Sequence, residues 1–91
     1  MPQVTLGRTV ATRGVAERMA DVRFSRFVQD SLARHESGDW GELEAEDVET
    51  NDRALVAGER LLSAYSFEGT KIWVITEWDR SVTTVLFPEE Y

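Results

Sequence analysis

The stretch RHESGDWGELEAEDVETND, residues 34–52, holds the chain's single histidine and then eight acidic residues with no Lys or Arg among them. His35 followed by Glu36 and Asp39 is a pattern that can make a general base, because a nearby carboxylate fixes the imidazole tautomer and supports its charge. Together with Arg60, Arg80, Thr83 and Thr84, His35 supplies the residue types of a metal-independent ribonuclease. There an acid–base group acts on the 2′-hydroxyl and the leaving oxygen while Arg stabilises the negative phosphorane. Small antiparallel sheets preceded by helices are also the build of barnase-like and toxin-type ribonucleases, an analogy of fold alone.

The same residues have a plainer reading. A His at the end of a helix complements the negative pole of the helix dipole. Gly38-Asp39-Trp40-Gly41 reads as a structured turn, in which Asp39 caps the backbone and Trp40 closes the end of the core. Asp47, Glu49 and Asp52 could hold a divalent ion, but a calcium loop needs ligands at alternate positions around a central Gly, and this run has none. No metal and no cofactor is expected. The segment then becomes an acidic surface for a partner, carried by Glu36, Asp39, Trp40, Glu42, Glu44, Glu46, Asp47, Glu49 and Asp52.

Charge is split along the chain. Residues 1–35 carry six Arg against three acids, a net +3, whereas residues 36–91 carry fourteen acids against four cations, a net −10. The acidic part repels nucleic acid and anionic membranes and attracts basic surfaces. The expected partner is therefore a protein with a basic surface, with no direct nucleic-acid or membrane binding. The absence of cysteine removes disulfides, thiolate metal sites and a thiol nucleophile, and fits a reducing compartment. No apolar run has signal-peptide or membrane-span length, so a cytoplasmic protein is expected.

The 91 residues, 42% apolar, suffice for one domain with a modest core. Residues 3–12 alternate weakly and read as a short strand or an extended arm, weakened by Gly7. Thr12 is the expected N-cap of a helix over 13–21. The clearest helix is 22–35, with Phe24, Phe27, Val28 and Leu32 on one face. A third helical segment spans 44–60, with Gly58 as its stop. Beyond it the period changes to two, and RLLSAYSF, KIWVITEW and SVTTVLFP form an antiparallel meander joined by short turns. The fold class is α+β: N-terminal helices packed on a three-stranded C-terminal meander that the first strand can join. Phe27, Leu32, Leu62, Trp73, Ile75 and Val85 are the expected core, and a free sheet edge could pair two copies into a homodimer.

The stretches RHESGDWGE, GERLLSAY, GTKIWVITE and DRSVTTVLFPEEY resemble a small family found on phages and plasmids, usually labelled only "plasmid related protein". The likeness runs from Leu6 to Tyr91 and is most specific over ITEWDRSVTTVLFPEEY. Trp78 stands where that family has a small residue such as Ala. The resemblance implies a mobile-element context and brings no catalytic residues. In that context short acidic proteins often inhibit host defence nucleases, of anti-restriction or anti-CRISPR type, by covering a basic groove or imitating DNA charge.

Overall fold

In the computed structural model, which describes residues 3–91, the chain runs β1 (Arg8–Ala11), α1 (Arg13–Arg18), α2 (Val22–Glu36), α3 (Ala45–Ala57), β2 (Leu61–Phe67), β3 (Thr70–Thr76) and β4 (Val82–Leu86), then a 3₁₀ turn over Pro88–Glu90. The α+β expectation holds. The sheet, however, has four strands in the order β1-β4-β3-β2, so it is not a pure meander. β2, β3 and β4 are antiparallel neighbours, and β1 joins parallel to β4 with Arg8 opposite Val82. Gly7 does not weaken this strand but admits it. At φ 65° it lies so close to the β3–β4 turn that a Cβ would sit 2.3 Å from the Arg80 carbonyl oxygen.

Strand alternation sorts the sheet into two faces. Leu61, Ser63 and Tyr65 of β2, Ile72, Val74 and Thr76 of β3, and Thr83 and Val85 of β4 point toward the helices, and all are buried. α2 lies on this face and contributes Phe24, Val28, Ser31 and His35, spaced four, three and four residues apart. Phe24, Val28 and Val15 form the main cluster with Tyr65, Ile72, Val74 and Val85. A second cluster joins Val4, Trp40, Ala54 and Leu61 beside α3. Of the expected core, Ile75 and Val85 are buried, but Phe27, Leu32, Leu62 and Trp73 are only half-buried. The buried stripe of α2 runs 24-28-31-35, which leaves Phe27 and Leu32 on its flanks.

Local chemistry explains the element ends. Asp21 accepts a hydrogen bond from the Arg23 amide and caps α2. Gly58, in the left-handed region at φ 73°, stops α3 before the expected Arg60. Thr12 stands at the N-cap of α1, but its hydroxyl donates to Glu90 Oε1 (2.6 Å) instead of accepting from the helix. The capping acceptor is Glu90 itself, whose Oε2 takes the Gly14 amide at 3.2 Å.

The outer edge of β2 is already occupied. The Asn51 side chain bonds both the amide and the carbonyl of Leu62. The next outward-facing residue, Ala64, donates to the Trp40 carbonyl and accepts from the Glu42 amide. Pairing of a second copy along this stretch is therefore closed, and the expected homodimer finds no support there. Among the described residues no helix is long and apolar enough to cross a membrane.

Candidate functional site

The residues proposed for acid–base chemistry do not meet at the surface. His35 lies on the buried stripe of α2 and is 0% exposed. Its Nδ1 is 2.6 Å from Ser63 Oγ and its Nε2 is 2.9 Å from Thr76 Oγ1. Thr76 Oγ1 in turn lies 2.7 Å from Thr83 Oγ1, and Thr83 donates to the Leu6 carbonyl oxygen at 2.7 Å.

A carbonyl can only accept, so Thr83 spends its proton on Leu6 and must accept from Thr76. Thr76 then accepts from His35 Nε2–H, which leaves Nδ1 as the acceptor of the Ser63 hydroxyl. One neutral tautomer satisfies the whole chain of bonds. Burial, with the Arg80 charge as a second cause, pushes the imidazole down to about 4. His35 is thus neither an end-of-helix cation nor a surface general base. It is a neutral core residue that ties α2 to β2, β3 and, through Thr83, to the segment before β1.

Arg80 is equally committed. At φ 59° it turns the chain between β3 and β4. Its guanidinium donates to the carbonyls of Glu59 (2.7 Å), Glu77 (3.1 Å) and Ala54 (3.4 Å). It thereby ties the β3–β4 turn to the C-terminal end of α3, where the Ala54 carbonyl also accepts the Glu59 amide and a cation is favoured by the helix dipole. Arg60 donates to the Tyr91 hydroxyl at 2.7 Å and lies 3.7 Å from a Glu77 carboxylate oxygen. Thr83 is buried toward the helices while Thr84 points to the opposite face, so the sheet itself separates these two residues.

The acidic run divides into turn and surface. Asp39 accepts the Arg34 Nε at 2.7 Å and the Gly41 amide at 3.0 Å, and the ion pair holds its carboxyl below the usual range. It organises the turn, with Arg34 also stacked over Tyr65 and the Tyr65 hydroxyl donating to the Asp39 carbonyl. Trp40 was expected among the partner-facing residues but is only 4% exposed. Its ring meets His35 edge-on and its Nε1 donates to Asp52 at 2.9 Å. Hydrophobic burial beside Ala54 and Leu61 outweighs exposure here, so Trp40 is a core residue.

Glu42, Glu44, Glu46, Asp47, Glu49 and Asp52 are all exposed, with Glu36 half-buried. Among the described residues none of these seven is in an ion pair. Glu46 and Asp47 occupy the first turn of α3, where the positive helix pole favours them. No group of three or more His, Asp or Glu side chains among the described residues is arranged to hold a metal ion.

Beside this surface opens a groove of about 600 Å³ that the sequence did not announce. Glu42, Glu44 and Asp47 form one wall, Leu62, Ala64 and Trp73 the floor, and Lys71 and Arg60 the far rim. The usable signal was the middle strand, apolar on both faces. The second face had to be covered by something, and the sequence pattern alone left unsaid how much of it was. Compared with protein-family models, curated proteins and solved structures, the chain matches none.

Proposed function

We propose that this protein is a small acidic binding module that acts on a protein partner with a Lys- and Arg-rich surface, as an accessory of a mobile element. The observation that carries this reading is the run of six exposed carboxylates between Glu42 and Asp52, none of which is in an ion pair among the described residues. Together they raise a negative potential that steers a basic partner in. Inhibition of a host nuclease by covering its basic groove is the activity that fits both this surface and the resemblance to phage and plasmid proteins. Acid–base catalysis by His35 is not favoured, since its imidazole has no exposed atom and no free nitrogen.

The test is affinity capture from the natural host, followed by a salt series of binding kinetics. The variant with Glu42, Glu44, Glu46 and Glu49 all changed to Gln should associate more slowly with little change in dissociation, because rim charges act mainly on the on-rate. An unchanged on-rate and salt slope would overturn the acidic-face reading.

A further inference from the structure

The face of the sheet turned away from α2 is covered on one side only. Leu62 and Ala64 of β2, Lys71, Trp73 and Ile75 of β3, and Thr84 and Leu86 of β4 share this face. On the β4 side the C-terminal segment folds back over it. Tyr91 meets the Trp73 ring edge-on with centroids 5.7 Å apart, and its hydroxyl is held by Arg60. Ile75 and Leu86 are buried as a result, at 2% and 5% exposure. On the β2 side Leu62 and the part of the Trp73 ring away from Tyr91 remain half-buried at the floor of the groove. The uncovered half of an otherwise doubly covered apolar sheet is therefore bordered by Glu42, Glu44 and Asp47, none of which has an ion partner among the described residues.

We infer that this groove receives an extended segment of the partner protein in which apolar and basic side chains alternate. The apolar residues would rest on Trp73 and Leu62, and the Lys or Arg residues would meet the carboxylates of the α3 wall. Three features argue for this occupant over others. The groove volume falls within the range of built ligand sites, roughly 300–1,000 Å³. An aromatic floor accepts both apolar side chains and the stems of basic ones. The acidic wall rejects an acidic segment and disfavours nucleic acid. The backbone edge of β2 is already filled at Leu62 and Ala64, so the segment is held by side chains across the face rather than by strand addition. This inference rests on the acidic-surface reading and adds to it a defined apolar floor.

Nitrogen-15 NMR separates the two, because the three tryptophan indoles report three places: Trp73 the groove, Trp40 the core and Trp78 the β3–β4 turn. The probes are a decapeptide of alternating Lys and Leu and one of alternating Lys and Gly, equal in charge. Saturable shifts of the Trp73 indole and of the Leu62 and Ala64 amides with the Lys–Leu peptide are expected, with Trp40 unmoved. The Lys–Gly peptide should bind more weakly by about tenfold, the effect of losing one good apolar anchor. Glu44→Lys combined with Asp47→Lys, both exposed and free of structural bonds, should abolish the Trp73 shift while leaving the rest of the spectrum folded. If both peptides bind alike with shifts spread evenly over the acids, the acidic surface survives and the groove is overturned. If neither binds, both fail.

Discussion

Nε2 of His35 and Oγ1 of Thr76 face each other across 2.9 Å in the interior, and the proton between them belongs to the imidazole. The direction is imposed from the far end of the chain of bonds, where Thr83 can only donate to the Leu6 carbonyl. His35 is consequently a core residue that must stay neutral for the fold to close.

Stability should therefore fall on mild acidification. The folded imidazole is held at about 4, against about 6.5 when free, so the unfolded chain binds the proton more readily. The contribution is fully present above about pH 6.5, declines as pH drops, and is exhausted near pH 4, amounting to about 3 kcal/mol. Urea unfolding between pH 7 and pH 4 measures this. A His35→Leu variant should show a flatter profile over that window, and an equal slope in both proteins would place the acid sensitivity elsewhere.

Thr76→Val leaves His35 Nε2–H and the Thr83 hydroxyl without their shared partner. Such an orphaned buried donor costs about 1–3 kcal/mol. The double variant Thr76→Val with His35→Leu should lose less than the two single losses together, since both ends of the bond are removed at once. Additive losses in chemical denaturation would show that the two side chains are not energetically linked.

Much of this architecture was readable in advance, because α2 and the three-stranded meander obey strong periodicities. The role of His35 was readable too. It lies seven residues after Val28 and eleven after Phe24, on the apolar stripe, whereas its place at the helix end suggested a cation at the dipole's negative pole and its neighbours Glu36 and Asp39 a surface base. The parallel pairing of β1 was harder to read, since its partner β4 lies more than seventy residues away and four residues carry little pattern. The cap that Glu90 places on α1 had no local sign at all, because the expected local acceptor was Thr12.

Gly41→Ala should be among the most damaging single changes. A Cβ there would lie 2.0 Å from the Ala64 carbonyl oxygen at a φ of 75°, beside the Tyr65 ring. The expected loss is roughly 3 kcal/mol or more, since backbone strain and a clash with backbone combine. Gly69→Ala is the control, with φ 80° but nothing within 4 Å of the added carbon, and should cost only about 1–2 kcal/mol. Melting temperatures of the two variants give the comparison, and equal losses would contradict the packing at Gly41.

Two tryptophans should behave oppositely. Trp40→Ala removes a buried ring and its bond to Asp52, and should cost about 3–5 kcal/mol. Trp78, 67% exposed on the β3–β4 turn, should tolerate Ala within about 0.5 kcal/mol. The order of their melting temperatures decides this, and a Trp40→Ala protein as stable as the parent would remove Trp40 from the core.

The pairing of β1 with β4 also governs how the chain can fold while it is being made. Arg8 to Ala11 are made more than seventy residues before their hydrogen-bonding partners, Val82 to Val85, and before the Glu90 that caps α1. At cellular elongation speeds this interval lasts on the order of several seconds. During it the α2 helix can form, but the cover of Phe24 and Val28 is complete only when Tyr65, Ile72, Val74 and Val85 have followed. The nascent segment is thus open to chaperones and proteases throughout that interval and closes in a long-range step.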